Sequence, residues 1–171
     1  MPNAIRFHKS GGPEVLVWEP VPIGKTGPGE ARVRHTAVGV NFVDIYICTG
    51  LYPAALPSGL GTEAAGVVEE VGPGVDHIKA GDRVAYAGGP LGAYSAVRVM
   101  PADRLVALPQ GISDEQAAAM MLKGLTVQYL IRQIHKVTNG DTILFHAAAC
   151  WSEIPCGSTT SRSAGITRTS L

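Results

Sequence analysis

From Asn41 to Tyr52 the chain reads Asn-Phe-Val-Asp-Ile-Tyr-Ile-Cys-Thr-Gly-Leu-Tyr. An amide, a carboxylate and two phenols fall within twelve residues. Asn41 can donate and accept hydrogen bonds, while Tyr46 and Tyr52 each join a flat apolar ring to a polar tip. If the segment is helical, Phe42 shares a face with Tyr46, and Asn41 with Ile45. Such a loop-helix suits a planar ligand. Taken alone, it equally suits an aromatic-rich packing segment. Other chemistry is poorly supported by spacing. His8, His35, His77, His135 and His146 are scattered, and no Cys-x-x-Cys pair exists. A catalytic zinc needs three convergent protein ligands, so no metal is expected. Cys48 has no basic neighbour in sequence to lower its pKa. A Gly-x-Ser-x-Gly elbow is absent.

These residues must be positioned by elements, and the composition says which kind. The chain has 171 residues, 46% apolar and 16% charged, which is globular rather than disordered. Its 21 Gly and 12 Pro point to many turns and short strands. Lys+Arg and Asp+Glu are both 14. That balance gives no general pull on nucleic acid or on anionic lipid, and neither partner is expected. No run of 18 apolar residues suggests a membrane span, and no apolar run follows a basic start as in a signal peptide. Three cysteines, an odd and sparse count, suit a reducing cytosol.

Along residues 1–110, Ala4–His8, Val15–Val21, Ala31–Thr36, Gly66–Val71, Arg83–Tyr86 and Ala93–Val99 are strand candidates. Each is bounded by turn signals such as Gly72-Pro73-Gly74. They predict a small β-barrel or sandwich. Beyond Pro109 the texture changes. Ser113-Asp114-Glu115-Gln116 predicts a capping box, with Ser113 as the cap. A helix should follow, broken at Gly124, with a second from Leu125 to about Lys136. Thr142-Ile143-Leu144-Phe145 has the look of a buried strand, as if an α/β domain were starting. Residues 150–171 differ again: nine of those 22 are Ser or Thr, against 11 in the first 149. A tail without fixed packing is expected there.

Ordered blocks give these features a context. Phe7-His8-Lys9 with Gly11-Gly12-Pro13-Glu14-Val15-Leu16 comes first, then Asn41–Tyr46 and Gly50-Leu51-Tyr52-Pro53. Leu56–Gly66, His77–Val84, Leu122–Thr126 and Phe145–Ala149 follow. In these blocks the chain resembles the zinc-independent quinone oxidoreductases of the medium-chain dehydrogenase/reductase superfamily, from about Ala4 to Ala149. The resemblance implies a fold mainly β with some α. A GroES-like β-barrel substrate domain over 1–110 would precede the start of an NADPH-binding Rossmann domain over 111–149. It implies NADPH as cofactor, a quinone substrate reduced by one electron, and a homodimer for full-length members. It further implies that Asn41, Phe42, Asp44, Tyr46, Lys123, Thr126 and Tyr129 line the cofactor, with Tyr46 and Tyr52 catalytic. Zinc-containing relatives carry His in a Gly-His-Glu motif; Gly61-Thr62-Glu63 stands here, so the resemblance implies no zinc.

One departure matters. After Phe145–Ala149 the family continues with a glycine-rich turn that admits the pyrophosphate to a helix N-terminus. Cys150-Trp151-Ser152-Glu153 stands there instead. With one choice of synonymous codons, residues 151–157 read one base later give Gly-Val-Arg-Ser-Leu-Val, compatible with a shifted frame. Two functions therefore stay open: an NADPH-dependent quinone reductase by descent, with little or no activity in this chain alone, and a non-catalytic GroES-like fold fragment. A third, RNA binding, is disfavoured by the neutral charge.

Overall fold

Period-2 stretches bounded by turns become strands. The structure, a computed structural model, describes residues 1–141, 143–145 and 166–168. It divides into two compact units, Met1–Lys123 and Gly124–Leu171.

In the first unit, β1 (Asn3–Phe7) buries Ala4 and Phe7 and pairs antiparallel with β2 (Leu16–Pro20). A 3-10 turn, Pro13–Val15, lies between them. On its other edge β1 takes the two-residue β4 (Ser58–Gly59). The larger sheet has the order β7-β3-β5-β6-β8. It contains β3 (Glu30–Gly39), β5 (Glu63–Val71), β6 (Arg83–Ala87), β7 (Val97–Pro101) and β8 (Val106–Ala107). The expected strands Ala31–Thr36 and Gly66–Val71 thus lie side by side, paired antiparallel within β3 and β5.

The strand expected at Ala93–Val99 is divided between two tasks. Ile5 donates its N–H to Tyr94 at 2.7 Å and Ala96 donates to Asn3 at 2.9 Å, with a bridge between Ala4 and Ser95. The Ala96 carbonyl already accepts the His35 N–H of β3 at 2.9 Å, and the regular pairing with β3 begins at Val97. This stretch stitches the small sheet to the large one.

Apolar residues fill the first unit in three clusters. Val33, Val68, Val84, Tyr86 and Met100 centre the largest, inside the large sheet. Phe7, Val15, Ile47, Cys48 and Leu60 hold α1 (Phe42–Cys48) against β1. Ala65, Ala85, Ala117 and Ala118 seat α2 (Asp114–Tyr129) on the outer face of β5 and β6. Methyl-sized side chains let that helix come close. β5 is consequently covered on both faces, which is why Glu63–Gly66 is buried without alternation.

The capping box forms as expected: Gln116 N–H reaches Ser113 Oγ at 3.2 Å, and Ser113 N–H reaches Gln116 Oε1 at 2.9 Å. The expected break at Gly124 does not occur; α2 runs through it to Tyr129. Glycine costs a helix interior about 1 kcal/mol relative to Ala, too little to outweigh the surrounding Met, Leu and Lys residues. Leu130–Ile134 then forms a π-helical turn rather than a second α-helix.

In the second unit, β9 (Ile143–Phe145) pairs antiparallel with β10 (Ile166–Arg168). The expectation of an unpacked tail falls mostly on residues 150–165 and 169–171, outside the described residues. Its three described residues are those of β10.

Candidate functional site

The end of β3 must turn sharply to start α1, and what it passes there builds the site. A Cβ on Gly39 would lie 2.3 Å from the Ala118 carbonyl oxygen and 2.4 Å from Glu63 Oε2. The end of β3, the start of β5 and the middle of α2 therefore converge on one point.

Asn41 follows as the N-cap of α1, and Asp44 at N3 accepts the Asn41 N–H at 2.9 Å, one arm of a capping box. The Asn41 side chain is turned inward. Its Nδ2 donates to Glu63 Oε2 at 2.7 Å, and its Oδ1 accepts from Lys123 Nζ at 3.0 Å. Lys123 Nζ stands 3.6 Å from Glu63 Oε2. The other Glu63 oxygen accepts the Leu122 N–H at 2.7 Å. Glu63 has no exposed surface at all, whereas a third of the Lys123 side chain is exposed. A buried carboxylate is tolerated because each oxygen is hydrogen-bonded and a cation stands beside it.

Asp44 is also buried. Its Oδ2 accepts from the Tyr94 hydroxyl at 2.8 Å, and its Oδ1 has no partner among the described residues. Burial, foremost, raises the Asp44 carboxyl above the usual carboxylate range, against the hydrogen bonds from Tyr94 and Asn41; the Glu63 charge adds to the rise. Tyr94 is pushed up as well, first by burial and then by Asp44. Tyr94 is itself covered by Gly61 (φ +89°), where a Cβ would stand 2.4 Å from the ring. Next to it, the buried Thr62 Oγ1 has no partner among the described residues.

From this polar knot α1 carries an aromatic face outward. Phe42 and Tyr46 are i, i+4 neighbours with ring centroids 6.3 Å apart. Tyr46 and Tyr52 meet edge to face at 5.6 Å, the Tyr52 N–H donating to the Tyr46 carbonyl at 3.0 Å. Gly50 makes that return possible with φ +84°. Tyr46 and Tyr52 are 37% and 50% exposed, so both rings remain open to a ligand. The shared face of Phe42 and Tyr46 is as the helical spacing predicts.

Of the eight residues singled out from sequence, the first unit holds Asn41, Phe42, Asp44, Tyr46, Tyr52 and Lys123. Asn41, Asp44 and Lys123 meet around Glu63 and Tyr94; Phe42, Tyr46 and Tyr52 form a run of ring contacts. Thr126 and Tyr129 fall on α2 within the second unit. Sequence reasoning missed Glu63 and Tyr94 as members of the knot. An acidic residue opening the apolar run Glu-Ala-Ala-Gly-Val-Val was the available signal for Glu63; nothing in the sequence marked Tyr94.

Two further places could bear chemistry. Cys48 is buried, its thiol pushed up by burial and directed at the Gly11 carbonyl at 3.4 Å, as suits a packing residue. A shallow cavity of about 390 Å³ is lined by Ile5, Trp18, His35, Val38, Val40 and Tyr94, among others. Its His35 bonds Ser95 O through Nδ1 at 2.7 Å and Tyr86 Oη through Nε2 at 3.0 Å. Among the described residues no group of three potential metal ligands comes together.

The model of the alcohol dehydrogenase GroES-like domain matches residues 27–110. The quinone oxidoreductase of Pseudomonas aeruginosa is 58% identical over 150 residues, covering 87% of this chain and 46% of that protein. Quinone oxidoreductase 1 of Escherichia coli is 55% identical over 150 residues with the same coverage. The crystal structure of Escherichia coli quinone oxidoreductase complexed with NADPH superposes with a TM-score of 0.81 at 54% identity. That match covers 85% of this chain and 45% of that one. With the two sheets and the capped α1 of its first unit, the chain thus carries the GroES-like domain of the medium-chain dehydrogenase/reductase superfamily. Within that superfamily its matched length is similar to quinone oxidoreductases. It spans about half the length of the curated relatives it matches.

Proposed function

We propose that the chain carries the substrate-domain half of an NADPH-dependent, zinc-independent quinone reductase site, with residues 1–110 as substrate domain and 111–149 opening the dinucleotide domain. The observation that supports this best is the juxtaposition, on one short helix and the turn that follows it, of an exposed aromatic face (Tyr46, Tyr52) and a cap, Asn41, tied to Lys123. The outward Lys123 ammonium fits the polar edge of a planar ring system. Tyr46, Asn41, Asp44 and Lys123 would hold the nicotinamide end, with Phe42 packing beside Tyr46. Bound NADPH would supply the electrons.

The chain's own residues do the rest. Tyr46 and Tyr52 offer ring faces that exclude water on one side of a flat substrate. Lys123 can donate an N–H to a carbonyl oxygen as it gains charge. Thr62, standing where zinc-containing relatives carry His, supports metal-free chemistry. No helix among the described residues is long and apolar enough to cross a membrane; with a free, buried Cys48, a cytoplasmic setting fits this reading.

Titration with 1,4-naphthoquinone, followed by amide resonances, tests the reading. Shifts should concentrate at 41–52 and disappear in Tyr46→Ala; shifts scattered elsewhere would overturn it. Because Cys150–Glu153 replaces the glycine-rich turn, several charge-assisted phosphate bonds of roughly 1.5–3 kcal/mol each are expected to be lost. NADPH affinity should then fall by orders of magnitude. Steady-state NADPH oxidation with a simple benzoquinone should not exceed the uncatalysed rate. Turnover clearly above it, abolished by Tyr46→Ala, would contradict that expectation. The localised naphthoquinone shifts separate this reading from that of a non-catalytic fragment, which would show none.

A further inference from the structure

We infer that Glu63 is a positioning residue whose buried carboxylate fixes the orientation of the Asn41 amide and, with it, holds the Lys123 ammonium at the open side of the site. The importance of those two groups rests on the functional reading above; the positioning itself rests on charge order. Glu63 Oε2 faces Asn41 Nδ2 at 2.7 Å, and Lys123 Nζ faces Asn41 Oδ1 at 3.0 Å. An amide turned by 180° would set its oxygen against a carboxylate and its NH₂ against an ammonium, two repulsions in a site with little water. Glu63 and Lys123 therefore select one of the two amide orientations.

Lys123 has three N–H donors. One is committed to Asn41 Oδ1 and one is within the field of Glu63 Oε2 at 3.6 Å, leaving one for a ligand carbonyl. Glu63 Oε1 meanwhile anchors the Leu122 N–H, so the stem of Lys123 starts from a fixed point of α2. Gly39 closes the arrangement, since any Cβ there would displace Glu63 Oε2.

Glu63→Gln tests this with little change in shape. The oxygen of the substituted amide can still accept from Leu122, but its NH₂ then faces Asn41 Nδ2, and the Asn41 amide must turn against Lys123. In the 171-residue chain, acetylation of Lys123 relative to Lys25 under limiting acetic anhydride, read by mass spectrometry, should rise roughly fivefold. The Asn41 side-chain NH₂ resonances should move. Lys123→Met, which leaves the Glu63–Leu122 bond in place, should move the same Asn41 resonances, and it carries the test alone if Glu63→Gln does not fold. Unchanged Asn41 resonances in both variants, or a lower urea midpoint in Glu63→Gln with unchanged Lys123 labelling, would reduce Glu63 to a plain anchor and overturn the inference. These readouts need no ligand. A naphthoquinone titration that leaves α1 untouched would remove the functional reading without touching this one.

Discussion

His35 shows how one side chain can carry a pH dependence for the whole first unit. Neutral imidazole donates from Nδ1 to Ser95 O and accepts at Nε2 from the Tyr86 hydroxyl, which faces Arg98 Nη1 at 3.4 Å. Burial, helped by the Arg98 charge, lowers its pKa to about 4 from an ordinary 6.5. Between those values the unfolded chain takes up a proton that the folded chain refuses. Stability therefore falls as pH drops from about 6.5 towards 4, by about 3 kcal/mol in total at 1.36 kcal/mol per unit. Urea midpoints measured across this range should show the slope, and His35→Gln should flatten it. A wild-type stability that stays level from pH 6.5 to 4.5 would show that His35 is protonated in place.

Among elements, α2 has the most exacting seat. Its first turn is held by Asp114, which accepts from Thr36 Oγ1 and from Arg83 Nε at 2.9 Å. The Thr36 hydroxyl, then Arg83, holds the Asp114 carboxyl below its usual range. That contribution is full above the unfolded pKa of 3.8 and is lost as pH falls through the lower, folded one. Asp114→Ala should lower stability by about 1–3 kcal/mol, read as an earlier urea midpoint with unchanged slope. Gly39→Ala acts at the far end of the same seat. The added methyl meets the Ala118 carbonyl, a backbone atom that cannot swing away. About 1–3 kcal/mol should be lost through displacement of α2 or β3, with amide shifts centred on Glu63 and Ala118. A Gly39→Ala protein with native spectra would show that the helix has slack.

The elements also show what could be seen beforehand. Alternation and turn residues located β1, β3, β5 and β6 because each signal is local. Ser113 and Gln116 announced their capping box for the same reason, three residues apart. Asn41, Phe42, Asp44 and Tyr46 were visible as a chemical cluster on one helix. Glu63 was not, because its partners lie 22 and 59 residues away and only the sheet brings them together. The Ala93–Ala96 stretch looked like one strand with Val97–Val99, since periodicity cannot say which neighbour a strand chooses. Gly124 misled because propensity is a weak force beside the packing of a whole helix.

At the scale of the molecule, all three apolar clusters draw only on residues of Met1–Lys123. A unit of this size encloses enough apolar surface to be stable by itself. A chain ending at Lys123 should therefore unfold cooperatively in urea, with the same Tyr86 and Phe7 resonances as the 171-residue chain. Loss of dispersed side-chain signals in that shorter chain would disprove it.

The bridge between Ala4 and Ser95 has a consequence for synthesis. The first strand finds β2 within about a dozen residues and β4 about fifty residues on, but its last partner, Ser95, is 91 positions downstream. At roughly 5–20 residues per second, a ribosome needs about 5–18 s to supply it. Of the residues that cover Phe7 and Val15, Ile47, Cys48 and Leu60 arrive midway through that interval and Leu91 and Tyr94 only at its end. The N-terminal hairpin is thus the part of this chain most in need of chaperone cover while it is being made, and a stall before Ser95 would leave it incompletely covered.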